Sequence, residues 1–138
     1  MADRVKKITY SYLMVPNRAG QGARVLSELR KEGVNLLAYS GFPGKGGKAQ
    51  IDLIPEKWAD LSRVARKHGW RLGKSKKAFL VTGRDSVGAV DRHIQRLADK
   101  RISVTAADAV CAGNGRYGMI LWVKPTAYGR AARALGAK

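Results

Sequence analysis

Residues Asn17-Arg18-Ala19-Gly20-Gln21 combine a side-chain amide with the expected start of a helix. Asn17 offers a donor and an acceptor on one short side chain. The backbone amides of Ala19, Gly20 and Gln21 are expected to point out of the helix N-terminus, a natural seat for a carboxylate. Gly20, lacking a Cβ, lets a ligand or a neighbouring strand approach the backbone. The same residues also read as plain structure, with Asn17 as an N-cap or turn residue and Gly20 as a loop glycine. A second stretch, Asp85-Ser86-Val87-Gly88, presents a carboxylate that either meets a ligand ammonium group or caps a helix over residues 86–100.

Elsewhere the chemistry thins out. The Gly- and Lys-rich stretch from Gly41 to Ala49 lacks the Gly-x4-Gly-Lys-Ser/Thr spacing of a phosphate loop, and Ala49 stands where a hydroxyl is needed. It reads as a hairpin tip whose lysines are placed to cover a ligand as a lid. His68 closes a helix, where it complements the dipole, and His93 lies beside the apolar stripe Val90, Ile94 and Leu97, so both read as structural. Cys111 is the one cysteine, and it has no partner for an intrachain disulfide and no recognisable histidine pairing. Trp58, Trp70 and Trp122 read as core or interface anchors. With no paired carboxylates, triad or metal set, neither catalysis nor a cofactor is expected.

The elements that must position these residues follow from periodicity. Val5 to Val15 alternates like a strand and breaks at Pro16, and Ala23, Leu26 and Leu29 recur at helical spacing up to Gly33. Strands are expected from Asn35 to Phe42 and from Ala49 to Ile54, with a turn between them. Trp58, Leu61, Ala65 and His68 share a helical face that Gly69 closes, and Trp70 to Leu72 supplies a short last strand. This order is that of the split βαβ, ferredoxin-like arrangement.

The second half repeats the first. At an offset of 68, Asn17 meets Asp85, Gly20 meets Gly88, Leu26 meets Ile94, Leu29 meets Leu97, Val34 meets Ile102 and Asn35 meets Ser103. With two residues added in the third strand, Pro55 meets Pro125, Trp58 meets Tyr128 and Arg63 meets Arg133. Ordered matches of this kind mark an internal duplication. The expected fold is therefore α+β: two ferredoxin-like βαββαβ units in tandem, residues 1–73 and 74–138, with antiparallel sheets and helices on one face. The second copy ends in the helix Tyr128 to Leu135 and lacks its last strand. An open edge asks to be covered, so either the copies complete one another or a second chain does, and a homodimer is expected.

The stretch Val15 to Ala38, with Asn17-Arg18-Ala19-Gly20, an amphipathic helix, then Gly33-Val34-Asn35-Leu36, resembles the ACT domain family. The second copy is a weaker version, Asp85-Ser86-Val87-Gly88 followed by Arg101-Ile102-Ser103-Val104, and together the two cover nearly the whole chain. The resemblance implies a stand-alone tandem ACT protein: a non-enzymatic, allosteric regulator that binds a small molecule, most often an amino acid, at the interface between two ACT units. It places ligand contacts at Asn17, Arg18, Ala19, Gly20 and Gln21, at Asn35 and Leu36, and at Asp85, Gly88 and Ser103. In the serine-sensing members the two asparagines hold the ligand, together with a histidine two residues before the first; that position is Val15 here. Asn35 reads equally well as a cap on its strand. A regulated enzyme is the implied partner.

Composition bounds these readings. The chain has 138 residues, 45% apolar and 27% charged, which fits one domain or two small ones. No apolar leader follows the basic N-terminus, and no stretch approaches the roughly 18 apolar residues of a membrane span, so a cytoplasmic protein without membrane contact is expected. The net charge of +17 is the outlier, and it spans both copies, densest near Lys74, Lys76 and Lys77 at their junction. It sustains an alternative function, electrostatic binding of nucleic acid or an acidic protein. The paired aromatics of an RNA-binding sheet are absent from Gln50 to Ile54 and from Gly118 to Lys124, so nucleic acid is the less favoured partner.

Overall fold

A computed structural model describes residues 3–138; Met1 and Ala2, where the first expected domain begins, lie outside the described residues. The elements run β1 (Arg4–Pro16), α1 (Gln21–Lys31), β2 (Leu36–Pro43), β3 (Lys48–Pro55), α2 (Trp58–His68), β4 (Lys76–Arg84), α3 (Ala89–Asp99), β5 (Val104–Gly113), β6 (Arg116–Val123) and α4 (Tyr128–Leu135). They form two compact units, one of Thr9–Lys76 and one of Lys77–Lys138 together with the segment ending at Ile8. Among the described residues no helix is long and apolar enough to cross a membrane.

In the first unit the strands lie in the order β2-β3-β1, all antiparallel, with Tyr12 opposite Asp52 and Tyr39 opposite Leu53. Alternation along β1 and β3 sends Leu13, Val15, Ile51 and Leu53 to one face, where Val25 and Leu29 of α1 and Leu61 and Val64 of α2 close the core. Fully burying such side chains is worth about 1.5–3 kcal/mol each. Helix α1 starts behind Gly20, whose φ of 90° gives its N-cap a left-handed turn without a side-chain cap. It stops at Gly33, φ 73°, where the Val34 N–H returns to the Leu29 carbonyl at 2.9 Å. Asn17 is thus no helix cap. The last strand expected at Trp70 to Leu72 is irregular instead. The Gly73 N–H donates to the Tyr12 carbonyl at 2.8 Å, the Ser11 hydroxyl donates to the Gly73 carbonyl, and a Cβ on Gly73 would strike the Tyr12 ring.

The second unit has the order β1-β4-β6-β5, with Phe79 opposite Leu121. Val5, Phe79, Val81, Leu97, Met119 and Leu121 are buried together in its core. The last strand that the second half of the sequence lacks comes from the front of the chain: Arg4–Ile8 of β1 lies beside β4. Its other edge meets the final residue, with the Lys138 N–H donating to the Val5 carbonyl at 3.0 Å and the Lys7 N–H to the Lys138 carbonyl at 3.4 Å. The first copy thus supplies the strand that the second lacks, so the missing strand gives no ground for a second chain.

The duplication is written into the backbone. The Asn17 N–H donates to the Gly47 carbonyl and the Asp85 N–H to the Gly115 carbonyl, at 2.9 and 2.8 Å, and the Ile102 N–H returns to Leu97 as Val34 does to Leu29. Gly88, φ 80°, caps α3 as Gly20 caps α1, so Asp85 is no helix cap and the helix expected from Ser86 begins at Ala89. The third strands β3 and β6 are both eight residues long, so the two added residues expected there are absent. The closing helices end at Gly69 and Gly136, both left-handed with φ 65° and 68°.

Candidate functional site

The loop after β1 carries Asn17, Arg18, Ala19 and Gly20, all exposed. Its backbone is tied down while its side chains are not: Asn17 is held by Gly47, and the Arg18 N–H turns back to the Pro16 carbonyl at 2.8 Å. The Asn17 amide has no partner among the described residues. Of the three amides expected at the helix start, that of Gln21 is engaged in the turn, 3.3 Å from the Arg18 carbonyl. Asn35 precedes β2, where its Nδ2 donates to Glu56 Oε2 at 2.9 Å, and Leu36 is half-buried opposite Pro55.

In the second unit the equivalent loop opens into a cavity of about 320 Å³, lined among others by Asp85, Ser86, Gly88, Val110, Cys111 and Tyr117. The Asp85 carboxylate beside Cys111 is the main cause pushing its thiol pKa up, which keeps the sulfur protonated and a poor nucleophile. Ser103 is exposed ahead of β5 and does not line this cavity.

Behind the cavity wall lies a knot of polar groups. Asp3 accepts a hydrogen bond from the Tyr117 hydroxyl; His93 Nε2 lies 2.7 Å and Arg92 Nη2 3.1 Å from the same oxygen. A carboxylate only accepts, so His93 carries its proton on Nε2. Nδ1 of this buried ring has no partner among the described residues. Burial opposes the charge on Asp3, but hydrogen bonds from Tyr117, His93 and Arg92 outweigh it and bring its pKa to about 2. Burial first, then Asp3, pushes the Tyr117 hydroxyl up.

The basic stretch after Leu61 is less free than its composition implies. Arg63 and Lys67 both reach Glu32, and Lys76 lies over the Tyr12 ring, 5.0 Å from its centroid.

No family model matches the sequence, and no curated protein does. Solved structures do. The protein BT0572 of Bacteroides thetaiotaomicron superposes with a TM-score of 0.76 over 97% of this chain and 88% of its own, at 14% identity. The ligand-free regulatory subunit of aspartate kinase from Thermus thermophilus does so at 0.59, over 98% of this chain and 93% of its own, also at 14% identity. The corresponding subunit from Thermus flavus gives 0.55 at 17% identity, over 98% of this chain and 94% of its own. The chain has the tandem ACT-domain fold. At these identities the likeness concerns the fold.

Within one ACT unit the two asparagines do not meet. Pro16, next to Asn17, pairs with Lys48 at one end of the sheet, while Leu36, next to Asn35, pairs with Pro55 at the other. Eight residues of β2 separate the ends, roughly 25 Å at the rise of a strand. The second ACT unit repeats this: Asp85 is held at the Gly115 end, and Ser103 precedes Val104, which pairs with Val123 at the far end. Periodicity carries no sign of the Asp3 knot, because Asp3 lies 89 to 114 positions before the residues it meets; the place of His93 beside the α3 apolar stripe is its one trace.

Proposed function

We propose that this protein is a non-enzymatic, cytoplasmic regulator that binds an amino acid between ACT units of two copies and thereby changes its docking on a partner enzyme. The separation of Asn17 from Asn35 carries this reading. Two side chains at opposite ends of a strand can share one small ligand only when a second unit runs alongside in the opposite direction, bringing its Asn35 to the first unit's Asn17.

The β2 edge suits such pairing. No charged residue occurs from Gly33 to Gly44, and Tyr39 and Phe42 stand 45% exposed. Two copies of a chain carrying +17 repel one another least along such a stretch. At the joined edge, the Asn17 amide and the free amides ahead of α1 receive the ligand carboxylate, and the partner copy's asparagine side-chain oxygen accepts from its ammonium group. Asp85, Gly88 and Ser103 make the analogous site of the second unit, where the carboxylate of Asp85 faces the ammonium group. That the Thermus neighbours are regulatory subunits of an enzyme supports a regulatory role here.

A thermal-shift screen of the twenty amino acids, with light scattering, tests the proposal. A dimer stabilised by at least one amino acid, with that shift reduced in Asn17→Ala and Asn35→Ala, is expected. A monomer that no amino acid stabilises contradicts it. Binding to nucleic acid that falls steeply with salt would favour the electrostatic alternative.

A further inference from the structure

The first unit carries an open groove of about 610 Å³ along α1, within the range of about 300–1,000 Å³ usual for small-molecule sites. Its floor is apolar, made by the buried Leu13, Val15 and Val25. One wall is Trp70, stacked on His68 with ring centroids 5.5 Å apart. The other wall is α1, with Arg24, Glu28 and Lys31. Glu28 is already engaged, 3.6 Å from Lys31 Nζ and 3.5 Å from His68 Nε2. Arg24 has no acidic partner among the described residues.

The second unit shows what the equivalent arginine does. At the offset of 68, Arg24 corresponds to Arg92 and Val15 to Gly83. Arg92 holds the Asp3 carboxylate, which rests on Gly83 so closely that a Cβ there would collide with it. The chain thus lays its own carboxylate between strand and arginine in the second unit. In the first unit no segment among the described residues does so. Val15 raises the floor, so a carboxylate stays at the mouth, beside Arg24.

We propose that this groove binds a small organic carboxylate with an aromatic or apolar body, its carboxylate on Arg24 and its body on Trp70 and the apolar floor. A guanidinium presents its N–H groups as a fork that matches a carboxylate. The body is essential, because an exposed ion pair on a chain carrying +17 is no better than a counter-ion. The groove contains neither Asn17 nor Asn35, and the inference does not rest on the proposed amino-acid site.

Benzoate is the probe, with benzamide as its uncharged counterpart and acetate as charge without a ring, titrated while the Trp70 indole N–H resonance is followed by NMR. Benzoate is expected to move that resonance saturably and to bind about tenfold or more tighter than either control. Arg24→Gln is expected to weaken benzoate about tenfold, whereas Arg30→Gln, which removes the same charge from an exposed position of α1, leaves it within about twofold. Benzoate binding no tighter than benzamide, equal losses in the two variants, or no saturable movement at Trp70 would overturn the proposal.

Discussion

Asp3 and His93, ninety positions apart, meet at 2.7 Å between a carboxylate oxygen and Nε2. The contact fastens the front of β1 into the second unit, whose last strand it supplies. Asp3→Asn removes the charge that Arg92 and His93 face and should cost about 1–3 kcal/mol, measured by denaturant unfolding. The carboxyl pKa is lowered on folding to about 2 from 3.8, so its contribution is complete above pH 4 and is lost as pH falls through about 2. The wild type should therefore lose its advantage over Asp3→Asn across that interval. Equal stability of the two proteins at pH 7 would contradict this role.

Gly83 is glycine because Asp3 rests on it. Gly83→Ala should push the carboxylate away and destabilise by about 1–3 kcal/mol. In a double-mutant cycle with Asp3→Ala most of that loss should vanish, since the colliding group is gone. Additive losses would mean that the alanine is resisted by something else.

Much of this architecture is legible in the residues. The offset that aligns Asn17 with Asp85 and Leu29 with Leu97 reappears in the hydrogen bonds to Gly47 and Gly115. Local signals, apolar spacing and glycine placement, fix such features. The strand shared between units is not legible, because Arg4–Ile8 and Leu13–Val15 read as one alternating run although they serve different cores. Matching Pro55 to Pro125 also misleads: Pro55 ends a strand, whereas Pro125 opens a helical turn. The loop after β1 is recognisable by type, but only sheet register reveals that Asn35 lies a strand's length from it.

Arg101 holds a left-handed backbone, φ 56°, at the place where the first copy has Gly33. A side chain is strained there, so Arg101→Gly should stabilise the protein by about 0.5–1 kcal/mol. A rise in melting temperature would bear this out, and a fall would assign the arginine a role that outweighs its strain.

Cys111 is exposed yet expected to react sluggishly, because Asp85 holds its thiol protonated. Asp85→Asn should speed its reaction with Ellman's reagent several-fold at pH 8, roughly in proportion to the thiolate released. An unchanged rate would separate the two residues.

The claim that Asn17 of one copy and Asn35 of another share a ligand is tested most directly by mixing inactive variants. Asn17→Ala and Asn35→Ala are each expected to lose the first-unit binding by calorimetry, using the amino acid that most stabilises the wild type. After the two are unfolded and refolded together in equal amounts, half the dimers should be mixed, each with one intact first-unit site. Binding should then return to about a quarter of the wild-type first-unit stoichiometry. No recovery in the mixture, with dimers confirmed by light scattering, would contradict a site built from both copies.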